Sequence, residues 1–246
     1  MNKQHDIYVF GDIHAEVGRL VAALDTLEPG EDDVALLVGD LGLNFDHRRK
    51  FGKTLQEHVR SVEQVIDGMT RRFGIEQIAW VPGNHDHPTA LAHLPGYTDG
   101  RLTTFPSGLK VWGCGGAVGE FRFPYEPTET QMDRQLRYAP RADVLLCHQP
   151  PMAMRLAMCV NGQGAGSASI RQYLENDFLG SICVCGHIHE AWGIEPLDAS
   201  DGRTVSCMNA GSFGTPHFGM RYGRFEVQIE KDDVVKVLAE EMVDLG

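Results

Sequence analysis

The chain of 246 residues has no block of basic residues and no apolar run of membrane-spanning length. The second absence excludes a transmembrane helix, which needs about 20 apolar residues. The first argues against extended binding to a DNA or RNA backbone, which depends on clustered Lys and Arg. Acidic residues outnumber basic ones by 34 to 22, leaving a formal net charge of −12. That balance does not exclude a small phosphate-bearing substrate, because a bound metal can outweigh a distant acidic surface. The opening stretch, MNKQHDIYVFGDIH, lacks the apolar centre of a secretory leader and suggests a cytoplasmic protein. Repeats and low-complexity tracts are also missing. The six cysteines lie mostly inside apolar runs such as DVLLC and SICVC. In a cytoplasmic chain they read as buried free thiols, not as disulfides or a zinc finger.

What is present is a series of short apolar runs, each closed by glycine or polar residues. IYVF leads to GDIH, VALLV to GD, QIAWVP to GNHD, LKVWG to CGGAVG, DVLLC to HQPP and ICVC to GHIH. Continuous runs of this length predict strands buried on both faces. Helical spacing intervenes. Val17, Leu20, Val21, Leu24 and Leu27 form one stripe in 15–28; Phe51, Leu55, Val59, Val62, Ile66, Met69 and Phe73 form a longer one in 51–73. GSASIRQYLEN predicts a helix with a serine cap. The tail, RYGRFEVQIE–KDD–VVKVLAEEMV, favours a hairpin with a second strand over a short helix. Length and pattern predict one α/β domain over 1–246. The Gly- and Pro-rich segments 113–128 and 151–167 are candidate rims of a site.

In alternating α/β folds, ligands gather beyond the carboxyl ends of strands. The polar residues found at those ends are Asp12 and His14, Asp40, Asn84, His85 and Asp86, His148, then His187 and His189. On a strand His187 and His189 would point the same way, an arrangement with little value in a core, since each ring needs polar partners. The donors are carboxylate, amide and imidazole. Such mixed N/O sets suit manganese, iron, zinc or cobalt better than calcium or magnesium. Each fragment alone is weak; their order, each behind an apolar run, is specific.

The blocks D-x-H, G-D, G-N-H-D, H and G-H-x-H, spread over 11–189, resemble the signature of the calcineurin-like metallophosphoesterase superfamily. That resemblance implies a double β-sheet sandwich flanked by helices, with two metals at the strand ends. It assigns Asp12, His14 and His189 to a first ion, Asn84, His148 and His187 to a second, and Asp40 to both. It leaves His85 to meet the substrate, with Asp86 behind it. Two divalent ions roughly 3.5–4 Å apart can share a hydroxide that attacks phosphorus while both clamp the phosphoryl group. Manganese is the expected ion, with iron or zinc as alternatives. His85 would act as general acid or stabilise transition-state charge, and Asp86 would hold its ring and favour the cation.

Other histidines receive no role: His5, His47, His58, His93 and His217 are expected at the surface, and His87 outside the site. DHRRK at 46–50, including Arg48 and Arg49, reads as a charged lead-in to the long helix. Arg122 could approach phosphate, but a tight glycine turn explains its segment equally. Asn209 and Ser212 in MNAGSF are either site supports or a structural turn. After Asp40 the chain reads LGLNFD, without the arginine found in the protein Ser/Thr phosphatase branch. GSASIRQYLE and CGHIHEAWG instead resemble the small bacterial phosphodiesterase-like members. A phosphodiester is therefore the expected substrate, with a phosphomonoesterase or protein phosphatase as the alternative. A non-catalytic scaffold would show replaced ligands; all seven, and His85, are intact. A redox metalloenzyme fits the bridged pattern less well.

Overall fold

The computed structural model describes residues 3–44, 54–213, 219–230 and 235–245. His47, Arg48, Arg49, His217 and the KDD turn lie outside them, as do residues 51–53 of the long helical pattern.

The first sheet has the order β11-β10-β1-β2-β3. Its strands are β1 (Lys3–Phe10), β2 (Val34–Leu37), β3 (Ile78–Trp80), β10 (Arg221–Ile229) and β11 (Val235–Asp244). β1, β2 and β3 run parallel, while β10 joins β1 antiparallel and carries β11 as a hairpin partner. The tail is thus a second strand, as its alternation favours. The second sheet has the order β4-β5-β6-β7-β9-β8. It comprises β4 (Leu102–Thr104), β5 (Lys110–Cys114), β6 (Val144–Cys147), β7 (Ile182–Cys185), β8 (Gly193–Asp198) and β9 (Thr204–Asn209). β5, β6, β7 and β9 are parallel, with β4 and β8 antiparallel at the edges.

Strand alternation builds three cores from two sheets. Ile7, Val9, Leu36 and Val81 meet Val111, Leu146, Val184 and Met208 between the sheets. The opposite faces, Tyr8, Phe10, Leu37 and Trp80, pack on α1 (Val17–Leu24) and α2 (Leu55–Phe73). Trp112, Leu145, Cys183 and Cys207 pack under α4 (Glu129–Arg137) and α5 (Ala168–Asn176). The result is an α/β fold of two mixed sheets flanked by helices, with β2, β6 and β7 buried throughout. α2 begins at a capping box: Thr54 accepts from the Glu57 N–H, and Glu57 accepts from the Thr54 N–H. Ser167 caps α5 through Ile170 N. A short α3 (Pro88–Leu91) follows the GNHD turn. All six cysteines are free, and five are buried. No helix among the described residues is long and apolar enough to cross a membrane.

Two histidines depart from the surface expectation. His5 is 4% exposed, because it lies on the same inward alternation of β1 as Ile7 and Val9. His58 is fully buried on α2, where Nδ1–H donates to Leu43 O at 2.7 Å.

Candidate metal centre

Every strand-end donor arrives at one end of the sandwich. Asp12 and His14 follow β1, Asp40 follows β2, Asn84 and His85 follow β3, His148 follows β6, and His187 and His189 follow β7. Chain direction in the parallel strands explains the convergence. His187 and His189 are beyond the strand, in a turn and a short 3-10 segment, so strand alternation does not apply to them.

The donors form two overlapping groups. Donor atoms of Asp12, His14 and His189 lie within 4.8 Å of one another, as do those of Asp12, Asp40 and His148. His14 Nε2 and His189 Nε2 are 3.3 Å apart, and His189 Nε2 is 3.4 Å from Asp12 Oδ1. On the other side, Asn84 Oδ1 is 2.9 Å from His148 Nε2 and 3.0 Å from His187 Nδ1. Asp40 Oδ2 is 3.7 Å from His148 Nε2, and its Oδ1 accepts the His85 N–H at 2.9 Å.

Three features fit this set to cations. Asp12 Oδ1 is fully buried and, among the described residues, has only the His189 ring at 3.4 Å beside it, an environment poor in donors for a carboxylate. His148 Nδ1–H donates to Val38 O at 2.8 Å, which turns Nε2 toward Asn84 Oδ1 and Asp40 Oδ2. A carbonyl, amide and carboxylate oxygen set around one imidazole suits a cation, and a backbone carbonyl on the far nitrogen is a common way to orient a metal-binding imidazole. Finally, Asp12, His14, Asp40 and His187 have φ values of 32°, 47°, 50° and 69°. Left-handed backbone at non-glycine residues costs roughly 1–3 kcal/mol each and concentrates at functional sites. Glycines make the approach feasible: a Cβ on Gly83 would stand 2.0 Å from Asp40 Oδ1, and one on Gly186 2.4 Å from Asp12 Oδ2.

Burial pushes the Asp12 carboxyl up, but His189, His148 and His14 outweigh it and hold Asp12 below the usual carboxylate range. Asp40 is likewise lowered against its burial, by His148, His14 and His85. Burial drives His187 down to about 4, helped by His148. His189 is raised, because Asp12 overcomes its burial. The ionised Asp12 and Asp40 and the lowered His187 are in the forms that ligate metal, whereas the raised His189 releases a proton when it does so.

The expectations for His85 and Asp86 need correction. Asp86 is fully buried, and its carboxylate accepts the N–H groups of Gly83 at 2.9 Å, Leu41 at 3.2 Å and Gly42 at 3.4 Å. It joins the GD turn to the GNHD turn. No hydrogen bond from Asp86 to the His85 ring occurs among the described residues. His58 Nε2 lies 3.8 Å from Asp86 Oδ1 and accepts the His87 N–H at 3.3 Å. The His85 ring is instead covered by Phe123, with centroids 4.2 Å apart. Its pKa is lowered, by burial first and by His14 and His148, against Asp40 and Asp86; Asp86 favours the cation as expected, but burial outweighs it.

Several supporting residues carry weak or no sequence signals. Asn209 Nδ2 donates to Leu156 O and Ile188 O at 3.0 and 3.1 Å, while its Oδ1 accepts from Gly211 N. Ser212 Oγ donates to Asp12 O at 3.2 Å. Both therefore support the donor loops. Gln149, buried behind His148, accepts from Val118 N and donates to Ala165 O, each at 2.8 Å. It ties segment 113–128 to segment 151–167. Its only sequence signal was adjacency to His148.

A family description for calcineurin-like phosphoesterases matches residues 5–191. No curated protein matches the sequence. Among solved structures, TT1561 of Thermus thermophilus aligns with a TM-score of 0.61 at 13% identity, covering 99% of this chain and 100% of that one. Haemophilus influenzae NAD nucleotidase (NadN) aligns at 0.59 and 12% identity, covering 100% of this chain and 57% of that one. A putative 5'-nucleotidase from Staphylococcus aureus aligns at 0.57 and 14%, covering 99% and 54%. This chain therefore spans just over half of each nucleotidase. At these identities the likenesses establish the fold alone.

Proposed function

Because the chain belongs to the calcineurin-like phosphoesterase family, we propose that it hydrolyses a small phosphodiester with two divalent cations held by seven residues. Asp12, His14 and His189 hold one, Asn84, His148 and His187 the other, and Asp40 lies between them. The observation that carries this reading is the convergence of His148 Nε2 and Asn84 Oδ1, 2.9 Å apart, beside Asp40 at the strand ends. Bound there, such ions supply Lewis-acid charge for a phosphoryl group and activate water as nucleophile at neutral pH. Manganese is the proposed pair, since it accepts this mixture of oxygen and nitrogen donors.

The chain's own residues do the rest. Asp12 and Asp40 stay ionised and leave the loaded site net cationic, which draws a phosphoester into an acidic protein. The Asp40–His85 backbone bond fixes the position of His85 relative to the donors. A neutral His85 ring still offers one N–H to the leaving or phosphoryl oxygen, where charge grows in the transition state. The stretch after Asp40, Leu41–Gly42–Leu43–Asn44, provides no cationic side chain for a monoester's second charge, which supports the diester.

Elemental analysis and turnover of bis-p-nitrophenyl phosphate test this together. The expected result is two ions per chain at saturation, with activity abolished by chelation and restored by manganese. A single ion at saturation, or a fully loaded protein that hydrolyses no aryl phosphoester, would overturn the reading.

A further inference from the structure

We propose that Phe123 is a positioning and specificity residue: its ring holds the His85 imidazole and offers an apolar wall to an aromatic leaving group. The inference rests on the phosphoesterase reading for its substrate, but on geometry alone for its contact. Phe123 packs on His85 at 4.2 Å between centroids, tilted 54°, and is still 38% exposed. A leaving group on the oxygen that His85 serves would lie beside that exposed face. Phe121, 78% exposed, follows at 6.1 Å from Phe123 and extends the apolar wall outward.

This loop is built, not merely draped. The Glu126 carboxylate accepts three consecutive backbone N–H groups: Phe121 at 3.0 Å, Arg122, and Phe123 at 2.9 Å. Arg122 adopts φ 68° to allow it, a conformation unfavourable for an arginine. The Tyr125 N–H donates to Asn84 O at 3.2 Å, so the loop is bonded to the residue preceding His85. Gln149 fixes its other end through Val118. Glu126 thus holds strained backbone in an arrangement that puts Phe123 on His85. Adjacent exposed aromatic rings form a surface suited to stacking against another ring.

The test has two arms. In the first, the imidazole carbon-bound protons of His85 are followed by NMR in protein stripped of paramagnetic ions. Wild type should show a ring-current shift that Phe123→Ala removes and Phe123→Trp retains; an unchanged His85 signal in Phe123→Ala overturns the positioning role. The second compares phosphodiesters with phenyl and hexafluoroisopropyl leaving groups of similar acidity in the manganese-loaded enzyme. Phe123→Ala should lose about 3- to 10-fold more kcat/KM on the phenyl ester than on the other, the scale of one aromatic contact. Phe123→Trp should keep the phenyl preference, and Glu126→Gln should weaken it with the fold intact. Equal losses on both esters, or a phenyl preference that survives Phe123→Ala, overturn the specificity role. If loaded wild type hydrolyses neither ester, the phosphoesterase reading fails, and the NMR arm still decides the contact.

Discussion

Asn84, His85 and Asp86 are consecutive, yet they do three different things. Asn84 offers an oxygen to two imidazoles, His85 faces Phe123, and Asp86 collects backbone N–H groups. The division follows from the turn, which directs successive side chains apart. It makes the residues separable by mutation. His85→Ala should lower kcat by roughly 10²–10⁴-fold, the usual contribution of a positioned proton donor, while both ions remain. The loss should be smallest for good leaving groups such as p-nitrophenol, and metal analysis beside kinetics would show it. His187→Ala removes a donor and should reduce metal content itself. If His85→Ala lost an ion, or lost the same factor on every ester, the donor role would be wrong. Asp86→Ala is a stability change. It leaves three buried N–H groups unpaired, and one such group costs about 1–3 kcal/mol. A clear fall in the urea midpoint is expected, with partial recovery in Asp86→Asn, which keeps one acceptor oxygen.

The elements act as levers for these turns. β1, β2 and β3 hold Asp12, Asp40 and Asn84 in adjacent strand-end loops; β6 and β7 do the same for His148 and His187 across the sandwich. α2 secures the first set from outside, through His58 to Leu43 O and the His87 N–H. Removing the cap of that helix by Thr54→Ala should cost about 1 kcal/mol, or about 2–4 °C in a chain of this size; differential scanning calorimetry reads it, and catalysis should be unaffected. The side-chain amide of Gln149 couples segments 113–128 and 151–167. Gln149→Leu keeps the volume but deletes the acceptor for the Val118 N–H. Hydrogen exchange at Val118 should accelerate while metal stoichiometry stays at the wild-type value. Unchanged protection would mean that the segments hold each other without Gln149.

Over the whole molecule, the strain at Asp12, His14, Asp40 and His187 has to be offset by the rest of the fold. The same donors face one another at 3.3 and 2.9 Å. The proposed cations would sit between these donors and bind the folded arrangement in preference to the unfolded chain, offsetting that strain. Ligand bound to the native state alone adds about 2.7 kcal/mol at 100 times its dissociation constant. Chelation should therefore lower the thermal midpoint, and manganese should raise it in a concentration-dependent way. A midpoint insensitive to both would show that the donors are satisfied without metal.

Much of this was readable in the chain. The apolar runs predicted β1, β2, β3, β5, β6 and β7, because a strand buried on both faces must be continuously apolar. Each run ended in a turn carrying its donors, and topology converts chain direction into convergence. The capping residue of α5 and the terminal hairpin were legible for similarly local reasons. What lay beyond one segment's reach was decided only by tertiary pairing. β8 and β9 alternate too irregularly to announce themselves, and they exist as strands because β7 offers an edge. His5 and His58 look polar in isolation; their burial follows from which face meets the second sheet or the GNHD turn. Asp86 was expected to serve His85, its sequence neighbour. The folded chain instead gives the carboxylate to three backbone groups of Leu41, Gly42 and Gly83, and gives His85 to Phe123, far along the sequence. Composition and periodicity describe what a segment can bury, whereas the partner of a buried polar group depends on which loops the strands bring together.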